Sequence, residues 1–150
     1  MARVNTYLSF MGNTEEAFNF YKKVFGTEFI SVTRMKDMPL PEGAPALAAE
    51  DAEKIMNIQM PITNGHVIMA TDALASLGHT VRVGNNVTIS LDLDSKEEAE
   101  NIYNQLLVNS PENSGPLAPM PWGALWGSCQ DQFGIRWMIS HATEIGRAHV

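Results

Sequence analysis

Imidazoles are the side chains most often recruited for metal binding and proton transfer near neutral pH, and this chain holds four, at His66, His79, His141 and His149. No two are spaced to share one face of a helix or strand. Surface or loop positions are therefore the expectation for all of them. Cys129, the one cysteine, has no histidine beside it in sequence, which predicts a buried or half-buried, inert thiol rather than a nucleophile, and it cannot close an internal disulfide. Asp92 is the single carboxylate on the alternating polar positions described below. It is expected to pair with Arg136 or to sit on a solvated edge before it acts as a base.

Those polar positions depend on strands to align them. Val4, Leu8 and Phe10 alternate with Asn5, Tyr7 and Ser9, while Val87, Ile89, Leu91 and Leu93 alternate with Thr88, Ser90 and Asp92. Met56, Ile58 and Met60 alternate with Asn57 and Gln59. Trp137 and Ile139 alternate with Arg136, Met138 and Ser140. Four strands thus present one apolar face to a helix and one polar face elsewhere.

The helices come from a repeat. Asn13-Thr14-Glu15-Glu16-Ala17 is echoed by Ser95-Lys96-Glu97-Glu98-Ala99, and both openings have the spacing of a capping box. After them, Ala17, Phe20, Tyr21, Val24 and Phe25 answer to Ala99, Ile102, Tyr103, Leu106 and Leu107, one buried stripe on each helix. Gly26 supplies a left-handed stop for the first helix. The second is expected to end near Val108 or Asn109. Residues 29–34, 66–71 and 123–129 fit further strands, whereas the prolines and glycine between Lys36 and Glu50 predict a long connector. Asp72 to Gly84 reads as the linker between the repeats.

Composition narrows the partners. Seventeen acidic against ten basic residues give a net charge of −7, which repels nucleic-acid backbones and anionic membranes. Met1 leads into polar, strand-like sequence, and no run of about 18 apolar residues occurs, so a cytoplasmic location without membrane association is the expectation.

Two units of strand, helix and three strands resemble the vicinal-oxygen-chelate superfamily of glyoxalases, extradiol dioxygenases and bleomycin-resistance proteins. The likeness is to its PhnB-like branch, some members of which carry a 3-demethylubiquinone methyltransferase label. It rests on Tyr7-Leu8-Ser9-Phe10 with Gly12-Asn13, on Glu16 to Tyr21, on Lys36 to Pro39 and on Asp51 to Met56. Val83 to Asn86, Pro121-Trp122-Gly123, Asp131, Phe133-Gly134 and Trp137-Met138 complete it. The resemblance implies an α+β fold of two tandem βαβββ modules, about 3–72 and 85–141 within a single domain 1–142, whose curved mixed sheets form a cavity. It also implies a homodimer.

The metal-ligand positions of that superfamily fall on Asn5, Asn57, Thr88 and Met138, with Thr6 as the alternative for the first. Amides, a hydroxyl and a thioether do not supply the imidazoles or carboxylates that a divalent ion requires. The expectation is thus a small-molecule-binding protein with no cofactor and no transition metal. Its ligand-binding residues would be Asn5, Tyr7, Asn57, Gln59, Thr88, Ser90, Asp92, Trp122, Arg136 and Met138, whose groups suit a small polar or anionic compound. Trp122 and Trp126 follow a proline-rich segment and would wall a cavity, an interface or the core; Trp137 belongs to the core. An enzyme of lyase, isomerase or dioxygenase type with an unconventional metal or acid–base site, and a structural dimer without ligand, stay open as alternatives. No glycine-rich strand-to-helix turn of the S-adenosylmethionine kind occurs. Residues 143–150 have no counterpart in the repeat and read as a non-native or disordered tail.

Overall fold

A computed structural model describes residues 1–143 of the chain, so the expected tail from residue 144 on and His149 lie outside the described residues. Two compact units follow one another, Met1–Arg82 and Val83–Val150.

In the first unit, β1 (Thr6–Phe10) leads into α1 (Thr14–Phe25), followed by β2 (Ser31–Arg34), β3 (Ile55–Pro61) and β4 (Val67–Asp72). The strands form one mixed open sheet in the order β1-β4-β3-β2, with β1 parallel to β4 and the other pairs antiparallel. Helix α1 packs on β3 and β4. Its buried side chains are Thr14, Ala17, Phe18, Tyr21 and Val24. Phe18 thus replaces Phe20 and Phe25 of the expected stripe, because the sheet meets the helix along the 14-17-18-21-24 line. Burial of Phe18, Tyr21 and Val24 stabilises the unit by about 2 kcal/mol each.

The start of α1 also departs from expectation. Asn13 makes no side-chain cap, and the amide of Thr14 donates instead to Asp72 Oδ1 at 3.0 Å. Gly26 ends the helix as predicted, at φ 65° with its N–H on the Lys22 carbonyl. On β3 the expected alternation breaks at Met56. A bulge opposite Thr33 and Arg34 makes Met56 the extra residue, so Ile55 is buried in its place.

The second unit repeats the plan with β5 (Ile89–Asp92), α2 (Lys96–Leu106), β6 (Ala118–Met120), β7 (Ala124–Gln130) and β8 (Arg136–Ala142). Its sheet order, β5-β8-β7-β6, and its one parallel pair, β5 with β8, match the first. Here the predicted cap forms, with Ser95 Oγ accepting from the Glu98 amide at 3.1 Å. Ala99, Ile102, Tyr103 and Leu106 are the buried stripe. The helix stops at Leu106, and the turn after it closes through Asn109 at φ 56°. Strand β6 was not expected, because Pro119 lies within it. An edge strand tolerates the missing N–H. The fold is α+β, two βαβββ modules in sequence, as the repeat implies.

Where α2 meets β7 there is no room for a side chain at position 127. A Cβ on Gly127 would lie 2.7 Å from Leu117 Cδ2 and 3.0 Å from Tyr103 Cζ. The Tyr103 ring cannot yield easily, since its hydroxyl donates to the Gly115 carbonyl at 2.9 Å. G127A is therefore expected to lower stability by about 1–3 kcal/mol, read as a lower urea midpoint with an unchanged slope. A midpoint equal to that of the parent protein would refute the close approach.

Candidate functional site

Each sheet has one mostly buried face and one more accessible face where polar side chains alternate with methionine, tryptophan and alanine, and the register lines these into rows. In the first unit Tyr7 pairs with Met69, Met69 with Gln59, and Gln59 with Ser31. The row crosses all four strands, roughly 14 Å at the usual strand spacing. Gln59 Nε2 donates to Asn57 Oδ1 at 3.1 Å, which orients both amides on β3. Tyr7 is 55% exposed and Gln59, Asn57 and Met69 are half-buried, so the row forms an accessible platform with an aromatic ring at one end. Met69 and Ser31 were absent from the predicted set. The alternation of β4 would have found Met69, but methionine carries no polar signal.

Two predicted residues of this unit lie off the platform or beside it. Asn5 precedes β1, is exposed, and lines a separate pocket with His66. Thr6, the alternative ligand position, points to the other face from Tyr7, and its hydroxyl bonds His66 Nε2 at 2.9 Å.

In the second unit Ser90 pairs with Met138 and Met138 with Ser128. The next row runs Asp92, Ser140, Trp126 and Ala118. Asp92 and the half-buried Trp126 are two strand spacings apart, roughly 10 Å. Trp126 is thus the tryptophan on the polar face, while Trp122 is 62% exposed in the turn between β6 and β7. Trp137 is fully buried, as predicted. Thr88 is exposed just ahead of β5.

The expected Asp92–Arg136 pair does not form. Arg136 Nη1 lies 2.9 Å from Glu112 Oε1, and the β5–β8 register sets Asp92 opposite Ser140, four residues along β8 from Arg136. Glu112 sits in the α2–β6 connection, whose path sequence periodicity does not reveal. Its charge neutralises the guanidinium, so the polar face of this sheet has less pull on anions than Arg136 implied.

Other charged clusters serve the framework. Arg34 forks onto both carboxylate oxygens of Glu15, at 3.1 and 2.7 Å, and donates to the Glu53 carbonyl at 2.7 Å, tying β2 to α1. That pairing holds the Glu15 carboxyl below the usual range. Asp51 is buried beneath Lys54 Nζ at 2.8 Å and Ser76 Oγ at 2.5 Å, and the Lys54 hydrogen bond lowers its pKa. Cys129 is fully buried, and desolvation, followed by the charges of Asp131 and Glu112, pushes its thiol up to about 12. It stays protonated and unreactive at neutral pH, the inert thiol expected.

Among the described residues, no three His, Cys, Asp or Glu side chains come together to hold a metal ion. The residues at the superfamily's ligand positions, Asn5, Asn57, Thr88 and Met138, do not fit one chemically, and Asn5 and Thr88 precede their strands. Also among the described residues, no helix is long and apolar enough to cross a membrane.

A family model described as 3-demethylubiquinone-9 3-methyltransferase matches residues 2–140. Protein YjdN of Escherichia coli K12 is 28% identical over 142 residues, covering 91% of this chain and 93% of its own. The crystal structure of protein PA1353 from Pseudomonas aeruginosa superposes with a TM-score of 0.80 at 29% identity, over 96% of this chain and 100% of that one. A putative 3-demethylubiquinone-9 3-methyltransferase, PhnB protein, from Bacillus cereus shares the fold with a TM-score of 0.69 at 22% identity, over 94% and 100% of the two chains.

Proposed function

Since the chain belongs to the 3-demethylubiquinone-9 3-methyltransferase family, the PhnB-like branch of the vicinal-oxygen-chelate superfamily, we propose that it binds a small polar molecule on the polar faces of its sheets without a transition metal. The observation that carries this reading is the unbroken Tyr7-Met69-Gln59-Ser31 row, with its oriented amide pair and its half-open exposure. Amides, a phenol and a thioether recognise neutral polar and aromatic groups and do not anchor a cation. In the second unit Ser90, Ser128 and Met138, with Asp92 and Trp126 in the next row, supply two hydroxyls, a thioether, a single carboxylate and an indole. Asn57 belongs to the first unit's platform through Gln59, with Asn5 just ahead of β1; in the second unit Thr88 lies just ahead of β5 and Trp122 in the β6–β7 turn. The protein acts as a homodimer in this reading, with one ligand class for both modules.

A methyltransferase using S-adenosylmethionine fits the residues poorly. The β1–α1 connection is Met11-Gly12-Asn13 and the β5–α2 connection is Leu93-Asp94-Ser95, neither of them a glycine-rich cradle.

Two measurements test the proposal. After incubation with nickel, zinc, manganese or iron(II) and dialysis, bound metal should stay well below one ion per chain; stoichiometric retention would overturn the metal-free reading. In a thermal-shift screen of small polar metabolites, a ligand present at about 100 times its Kd adds about 2.7 kcal/mol of stability. The shift should vanish in Y7A and Q59A proteins. A panel with no shift, or a shift indifferent to both substitutions, would sink the platform as a binding site.

A further inference from the structure

We infer that the first unit carries a separate site for a small oxyanion, of phosphate or carboxylate type, where the residues ahead of β1 meet the β3–β4 turn. This does not depend on the ligand proposed for the sheet faces. The pocket has a volume of about 400 Å³, and Arg3, Asn5, Thr63, Asn64 and His66 supply its polar lining. Among the described residues, no aspartate or glutamate lines it. In a chain of net charge −7 that is an uncommon neighbourhood, one cation and one imidazole with amide and hydroxyl donors around them.

Three features suit it to an anion. Arg34 and Arg136 are each held by carboxylates, but Arg3 forms no ion pair among the described residues, so its planar fork remains for an external carboxylate or phosphate. The His66 ring is oriented by the Thr6 hydroxyl at Nε2, which leaves Nδ1 as its second hydrogen-bonding position. The turn that presents Thr63, Asn64 and His66 is closed by its own backbone hydrogen bonds. Asn64 and Gly65 take φ 55° and 76°, and the His66 amide closes on the Thr63 carbonyl at 3.3 Å. Donors on a closed turn lose little freedom when they bind.

The test is a titration of the full chain with inorganic phosphate and, separately, with acetate, at ionic strength held constant with sodium chloride and followed by ¹H–¹⁵N NMR. Saturable shifts at Asn5, Asn64, Gly65 and His66 are expected with at least one of the two anions. A response to phosphate alone marks a phosphate-type ligand and a response to acetate alone a carboxylate-type one. R3Q should weaken the binding about tenfold while the remaining spectrum stays native. Shifts that grow linearly with both anions, or that map elsewhere, would overturn the site. So would unchanged affinity in R3Q.

Discussion

Replacing Asp131 with alanine is expected to lower the thermal midpoint by roughly 10 °C. The carboxylate is fully buried in the β7–β8 hairpin and organises the turn from within. Its Oδ1 accepts from the amides of Phe133 and Ile135, at 2.8 and 3.1 Å, and its Oδ2 accepts from Trp137 Nε1 at 2.8 Å. Hydrogen bonds to an ionised group contribute about 1.5–3 kcal/mol each, and stranded buried donors add their own desolvation cost, so about 3–4 kcal/mol is at stake. D131N should fall between alanine and the parent. Its amide oxygen keeps one set of contacts, while its NH₂ group faces donors on the other side. Thermal unfolding followed by tryptophan fluorescence reads both effects, since Trp137 reports on the turn directly. A D131A midpoint within a degree or two of the parent would mean that the hairpin does not rely on this carboxylate.

Asp131 also marks the boundary of what the sequence makes legible. The repeat, both helices and seven of the eight strands follow from alternation and helical spacing, because burial imposes periods of 2 and 3.6 on any chain with one core face. The polar rows follow from the same alternation once strand order is known. What alternation cannot provide is pairing. Met69 enters the first row only because β4 lies between β1 and β3, and Arg136 turns to Glu112 instead of Asp92 because the α2–β6 connection passes β8. Register slips are equally silent, so Met56 reads as core until the bulge opposite Arg34 moves Ile55 there. Asn64-Gly65 is the pair that a tight hairpin favours, and it forms the β3–β4 turn that presents the oxyanion pocket.

The start of α1 offers the sharpest contrast between local and tertiary logic, and a second large effect follows from it. The sequence nominates Asn13 as the cap. In the fold, Asp72 at the end of β4 takes that part, with Oδ1 on the Thr14 amide at 3.0 Å and Oδ2 on the Ile55 amide at 2.7 Å. One buried carboxylate thereby completes the positive end of the helix and holds the first residue of β3 beside the bulge. D72A strands two buried donors and should cost about 2–4 kcal/mol, whereas N13A, which removes no cap bond, should cost less than about 0.5 kcal/mol. Urea unfolding of the two variants decides between them. If N13A proves the more damaging, the helix is capped as its own sequence suggests and Asp72 is a bystander. The expected order instead makes α1 dependent on β4, so that helix and sheet of the first unit unfold together, while α2, capped by its own Ser95, keeps its start without help from a strand.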